Sequence, residues 1–262
     1  MKNLKQALRN GEPIIGVIIA SGSPAMVEIA GYAGYDFVYI DCEHGVTSPF
    51  GREFQEMVRA AEAADITAIT RIISNDVSQV RKVLDSGAKG VVVPFLNTAE
   101  DAQKLVANCL YPPEGNRGAA PGVRAPQYGA MDWYEFMKKS NDEILAVGIL
   151  ERQQGMANLE AICSVKGLTA VFTGFFDFGL ELALPEKDAA AVIDQARTRV
   201  ISIASKKGVF VGDVALTPQM VPSLVRQGVR IILTPADTSL FLGVAKQFVE
   251  ESRTLLKKVK IK

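Results

Sequence analysis

A (β/α)8 TIM barrel, an α/β fold in a single domain spanning residues 1–262, is what this sequence predicts. Three observations carry that expectation. Eight short β-branched runs alternate with longer segments whose apolar residues fall three or four apart. The runs are continuously apolar rather than alternating, as in parallel strands covered on both faces. No GxGxxG follows the first run, so an open dinucleotide-binding sheet is the weaker alternative.

Taken in order, "MKNLKQALRNG" mixes charged and apolar residues at helical spacing, unlike a signal peptide. The first strand begins near Ile14 in "IIGVIIA", the second near Phe37 in "FVYID", and the third near Thr67 in "TAITR". "DVSQVRKVLDSG" reads as a helix closed by glycine before the fourth strand, "GVVVP", at Gly90. "TAEDAQKLVANCL" is the next helix. An irregular Pro/Gly-rich stretch then runs from Tyr111 to Tyr134, a length that in compact domains is often functional. The remaining strands start near Ile144, Ala170, Val209 and Val229. "TSLFLGVAKQFVEESRTLLKKV" is a long amphipathic helix, more apolar than one barrel face needs, which points to a partner subunit. The basic "KKVKIK" end reads as a solvated tail.

Composition narrows the function. Lysine plus arginine equals aspartate plus glutamate, 29 each, which removes the electrostatic footprint of a nucleic-acid binder. The longest apolar runs are too short to span a bilayer. Cys42, Cys109 and Cys163 form no CxxC pair, and a single histidine rules out a Cys/His zinc pattern. Free thiols suit a reducing compartment, so the expected location is the cytoplasm.

In such a barrel the active site lies at the C-terminal ends of the strands. The second strand ends in Asp41, followed by Glu43 and His44, the only histidine. The third ends in Arg71, the fifth in Glu151 and the seventh in Asp213. The sixth ends in Gly174, with Asp177 just beyond. The fourth ends in Pro94 and offers no chemistry. Singly, such residues are more often caps, ion pairs or structural groups. Together they say more. Glu151 and Asp177, from adjacent strands, can converge on a hard divalent ion. Arg71 can supply fixed positive charge to a developing oxyanion, and His44 general acid/base chemistry. That set describes proton removal beside a carbonyl. Cys42 beside His44 is either a nucleophile or buried packing, since neighbouring strand residues face opposite sides. "GNRG" and "PGVRAP" either bind phosphate with Arg117 or Arg124, or form a turn-rich loop with solvated arginines.

"DCEHG", "TRIISND", "DSGAKGVVVP", "YPPEGNRG", "LERQQGM" and "GFFDFG", in this order, resemble the HpcH/HpaI family of class II pyruvate aldolases. That family includes 4-hydroxy-2-oxoheptanedioate aldolase and 2-dehydro-3-deoxyglucarate aldolase. The resemblance extends from "LKQALRNGEPIIGVIIASGSP" to "DTSLF". It implies a (β/α)8 barrel assembled as a hexamer, a trimer of dimers, with the C-terminal helix exchanged between subunits. It implies Glu151 and Asp177 as ligands for magnesium, manganese or cobalt. Arg71 resembles the enolate-stabilising arginine and His44 the catalytic base. Asp85 matches the acid that raises the basicity of that histidine. It follows a helix, near the opposite face of its own barrel, so any contact with a His44 is expected across a subunit boundary. Gly174, Phe175, Phe176, Asp177 and Arg71 would bind substrate, with Asp41 and Glu43 in support. Three departures stand out. Ile149 replaces a glutamine two residues before the metal glutamate. Phe175 and Phe176 replace Pro and Ala of a GPADLS-like loop. "PAD" at Pro235–Asp237 replaces a glycine-rich GxD. The pocket should therefore be smaller and more apolar.

The leading expectation is a metal-dependent carbon–carbon lyase acting on a 2-oxo acid and an aldehyde. A citrate-synthase-like condensation with an acyl thioester, using the same enolate machinery, is the first alternative. A non-catalytic metabolite-binding barrel is the second.

Overall fold

A computed structural model describes residues 1–259, apart from the side chains of Glu186 and Lys187; the last three residues of the basic tail lie outside it. Eight parallel strands close into a barrel in sequence order: β1 Ile14–Ile19, β2 Phe37–Asp41, β3 Thr67–Arg71, β4 Gly90–Val93, β5 Leu145–Leu150, β6 Ala170–Thr173, β7 Phe210–Val214 and β8 Ile231–Thr234. β8 pairs with β1, so no edge is left open.

Local chemistry explains the elements. The helix Val77–Asp85 starts where the Asp76 carboxylate accepts from the Ser78 and Gln79 amides. Thr98 and Asp101 form a reciprocal capping box at the start of the helix Ala99–Cys109. The short helix Leu4–Arg9 buries Leu4, Ala7 and Leu8 against the barrel interior and stoppers its N-terminal end.

Alternate strand residues build two cores. Phe37, Tyr39, Ile69, Val92, Val147, Ile149, Phe172 and Leu233 fill the barrel. Val38, Ile40, Val91, Val171, Val211 and Ile232 face the surrounding helices. Two interior glycines make room for the largest rings. Gly16 is the register partner of Phe37, and a Cβ on it would fall 2.3 Å from that ring. Gly212 is the partner of Phe172, where the gap would be 2.4 Å.

The same alternation sorts the polar residues. Asp41, Arg71 and Glu151 lie two positions beyond Tyr39, Ile69 and Ile149, so they continue inward rows into the C-terminal mouth. Asp213 lies two beyond Val211 and faces outward instead. It is not the last residue of its strand, and its carboxylate accepts from Arg197 Nε at 2.8 Å on the helix Glu186–Lys206. Asp213 is therefore not a mouth residue.

The Tyr111–Tyr134 stretch runs from the helix Ala99–Cys109 into the helix Trp133–Glu143, which leads back to β5, so it lies on the return path to the N-terminal ends of the strands, away from the mouth. Its arginines are not solvated. Arg117 is buried against Asp85 and the Tyr111 ring, and Arg124 donates to Glu62 and to the Ser86 carbonyl. Both arginines are tied up structurally, so neither is free for a phosphate. The helix Asp237–Leu256 is anchored at its first turn, where Asp237 accepts from the Ala20 amide at 3.0 Å. Farther along, Phe241, Val244 and Phe248 stand exposed on one face. Among the described residues, no helix is long and apolar enough to cross a membrane.

Candidate active site in the barrel mouth

Asp41 and Arg71 are register partners on β2 and β3. Arg71 Nε donates to Asp41 Oδ1 at 2.9 Å, and Nη2 donates to Oδ2 at 2.6 Å. This is a two-pronged clamp, a geometry that the planar guanidinium makes and an ammonium does not. Nη1 lies 3.1 Å from Glu43 Oε2, and the guanidinium sits 5.7 Å from the centre of the Tyr39 ring. Arg71 is thus a cation fixed from three sides.

Asp41 has a second task. Its Oδ1 accepts from the Glu43 amide at 3.0 Å and the His44 amide at 3.3 Å, folding "DCEHG" back over the strand end. Gly45 completes the bend, since a Cβ there would lie 2.2 Å from the Asp41 carbonyl oxygen. Burial alone would raise the Asp41 carboxyl, but the Arg71 hydrogen bonds and charge, with the two amides, hold it below the usual carboxylate range.

Glu151 follows β5 directly and is buried. Its Oε1 accepts from the Phe95 amide at 2.7 Å. Burial pushes its carboxyl above the ordinary range against that hydrogen bond, and the charges of Glu43 and Asp177 push the same way. Glu43 is raised too, by burial first, with Arg71 opposing and Asp41 and Asp177 adding. Asp177 sits in the first turn of the helix Phe175–Leu182. Four carboxylates, Asp41, Glu43, Glu151 and Asp177, therefore share one neighbourhood with one guanidinium. Such an acidic, hard-oxygen cluster suits a divalent cation. Among the described residues, no three His, Cys, Asp or Glu side chains are grouped to hold an ion on their own. The Glu151 and Asp177 pair fits an ion that takes its remaining oxygens from water or substrate.

Gly174 is required by this packing. A Cβ on it would fall 2.5 Å from Glu151 Cβ and 2.9 Å from Ile149 Cγ2. Ile149 belongs to the buried interior cluster, so the floor beneath Glu151 is apolar. Phe175 turns away from the mouth to lie 4.7 Å beneath the Arg197 guanidinium, while Phe176 is 75% exposed. The two rings therefore do not both crowd the carboxylates.

His44 stands at the rim with its side chain 69% exposed. Nε2 is 3.7 Å from Glu43 Oε2, beyond hydrogen-bond range. Asp85 is not near it in this chain; its Oδ1 accepts from Arg117 Nη2 at 2.9 Å at the far end of the barrel. Cys42 is buried, and burial lifts its thiol to about 12, so the packing alternative holds over the nucleophile.

Sequence reasoning passes over β4 because it ends in Pro94. Yet the next residue, Phe95, gives its amide to Glu151 from a left-handed backbone with φ of 54°. A backbone donor leaves no residue-type signal; only the strained conformation of a non-glycine marks it. A cavity of about 440 Å³ lies at the N-terminal end among paired charges such as Arg124 and Glu62. It is remote from these residues.

A family model described as HpcH/HpaI aldolase/citrate lyase matches residues 15–243. The 2-keto-3-deoxy-L-rhamnonate aldolase of Klebsiella pneumoniae subsp. pneumoniae is 32% identical over 242 residues, covering 90% of this chain and 88% of that protein. The hydroxypyruvate/pyruvate aldolase of Sagittula stellata is 30% identical over 241 residues, covering 92% and 94%. The crystal structure of an HpcH/HpaI aldolase/citrate lyase family protein from Burkholderia cenocepacia J2315 superimposes with a TM-score of 0.89. It is 28% identical and covers 97% of this chain and 100% of that one.

Proposed function

This chain belongs to the HpcH/HpaI aldolase/citrate lyase family, and from that premise we propose a divalent-metal-dependent lyase that cleaves or forms a 4-hydroxy-2-oxo acid through a pyruvate-type enolate. The observation that carries the reading is the Arg71 clamp on Asp41, set beside the Glu151 and Asp177 carboxylates in one mouth. Relatives named as aldolases for keto-deoxy acids and for pyruvate support the reaction class.

Glu151 and Asp177 would hold magnesium, manganese or cobalt, which would supply a Lewis acid for the 2-oxo group and positive charge for the enolate. The chain's own residues do the rest. Arg71 is held by Asp41 with its charge aimed where the ketone oxygen becomes an enolate oxygen, so no reorganisation is needed as charge develops. In the cleavage direction His44 takes the proton of the 4-hydroxyl, directly or through water. The C3–C4 bond then breaks, the aldehyde leaves, and the electron pair moves onto the enolate. A proton returned to C3 gives pyruvate. Gly174 lets the end of β6 pack closely against Glu151, and Ile149 keeps the floor below it apolar.

The expected result is that the methyl protons of pyruvate exchange with deuterium, followed by NMR, only when a divalent ion is supplied. Chelation should reduce exchange to background. Absence of exchange with every divalent ion tested would sink the reading.

The uncovered Phe241, Val244 and Phe248 face supports an oligomer, which we take to be a hexamer with that helix exchanged between subunits. Asp85 would then meet His44 only across a subunit boundary. Light scattering should give six times the chain mass; a monomer would exclude both statements.

A further inference from the structure

We propose that Tyr39 is a further catalytic residue: its phenol hydroxyl reaches up from the barrel floor and donates a second hydrogen bond, beside Arg71, to the 2-oxo oxygen as it becomes an enolate. The inference rests on the aldolase reading above. Tyr39 lies two positions before Asp41 on β2, so it is the inward residue directly beneath the clamp. Its register partner on β3 is Ile69, which stands in the same way beneath Arg71. Every other buried member of the interior cluster is Leu, Ala, Ile, Phe or Val, so Tyr39 carries the one hydroxyl in that packing.

That hydroxyl has no task within the protein. Tyr39 is 3% exposed, yet among the described residues its hydroxyl has no hydrogen-bond partner, and Arg71 acts on it through charge alone. It is not one of the unpaired polar atoms sealed away from solvent. The helix Leu4–Arg9 stoppers the other end of the barrel, so the hydroxyl opens upward into the mouth. The charges that act on it agree, since Arg71, Asp41, Glu43 and Glu151 are all mouth residues. Buried polar groups are almost always paired within a protein, so one left open to the mouth is placed for a ligand.

The surroundings make it a donor. Burial pushes the phenol well above the ordinary tyrosine value, so it keeps its proton. The Arg71 guanidinium lies 5.7 Å from the centre of the ring, and its charge turns the hydroxyl hydrogen away from itself, into the mouth. Phe172 meets the ring edge to face at 6.0 Å and fixes its plane. In the exchange step a methyl proton of pyruvate passes to His44, directly or through water. The C–H electron pair becomes the C2–C3 double bond, and the carbonyl π pair moves onto the oxo oxygen. A guanidinium above and a phenol below then receive that charge without moving, and both bind the enolate more strongly than the neutral ketone.

Tyr39→Phe removes only the oxygen and keeps the ring. With magnesium or manganese supplied, kcat for pyruvate deuterium exchange should fall about 10²-fold, while KM stays within about threefold. Binding of oxalate, whose second carboxylate imitates the enolate oxygen, should weaken at least about tenfold by calorimetry. The melting temperature of the metal-free protein should not fall, because no hydrogen bond within the protein is lost. Parental exchange in the variant overturns the assignment. So does a higher KM at unchanged kcat, which makes the hydroxyl a ground-state contact. Loss of exchange with parental oxalate affinity, or with a lowered melting temperature, makes Tyr39 a packing residue and overturns it as well. If the parent enzyme itself shows no exchange with any divalent ion, the aldolase reading fails and this inference with it.

Discussion

Arg71→Lys is expected to lower the rate of metal-dependent pyruvate exchange by about 10²–10³-fold, the usual cost of losing one preorganised oxyanion donor. Lysine keeps the charge but loses the fork. The two bonds to Asp41 at 2.9 and 2.6 Å need Nε and Nη2 in one plane, and the Glu43 contact needs Nη1 as well. An ammonium can serve one of these at a time, and it would move off the position aimed at the enolate oxygen. The effect should fall on kcat more than on KM, since the charge matters most where the oxygen becomes negative. Asp41→Asn should reproduce much of the loss through Arg71, because an amide cannot accept with both arms. The clamp has a definite pH range. Asp41 is held below the ordinary carboxylate value by Arg71, so its folded form binds a proton less readily than the unfolded chain does. Its stabilisation is fully present above about pH 4 and fades as pH falls through the lower folded value. Thermal melts from pH 7 down to pH 3 should show the gap between the parent and Asp41→Asn closing only at the acid end. A lysine variant with near-parental exchange would remove Arg71 from the chemistry.

Glu151→Gln should move activity and stability in opposite directions. Exchange should drop by about 10²-fold or more, as for other preorganised charge in a dry site. The melting temperature of the metal-free protein should rise. Glu151 is buried, and burial together with Glu43 and Asp177 disfavours its charged form. An amide oxygen can still accept from Phe95, so the one hydrogen bond survives while the buried charge is gone. The parent should gain stability when manganese or magnesium is added, by mass action on the folded state. The variant should gain little. Calorimetry with and without the ion separates the two terms. A glutamine variant that keeps the metal-dependent rise would exclude Glu151 as a ligand.

The barrel is legible in the residue pattern. The eight runs start within two residues of the strands that form, and β-branched stretches bounded by glycine carry that information locally. The strand ends are harder to read. Glu151 and Asp213 look alike as acids after an apolar run, yet one faces the mouth and the other Arg197. Strand parity separates them only once β7 is known to run on to Val214. The long Tyr111–Tyr134 stretch is informative as a loop, but its end of the barrel follows from its place on the return from the helix Ala99–Cys109 to β5.

By itself, the sequence determined the architecture, because periodicity is a property of neighbouring residues, and it marked Asp41, His44, Arg71, Glu151 and Asp177 as candidates because they are polar residues at or just beyond strand ends. Only the tertiary structure decided how they act on one another. It gave Asp41 its task as the holder of Arg71, because β2 and β3 set those two residues side by side in register. It brought in the Phe95 amide, which no side chain announces. It also turned Phe175 outward onto Arg197. These outcomes depend on strand register, parity and burial, which arise when residues far apart in the chain pack together.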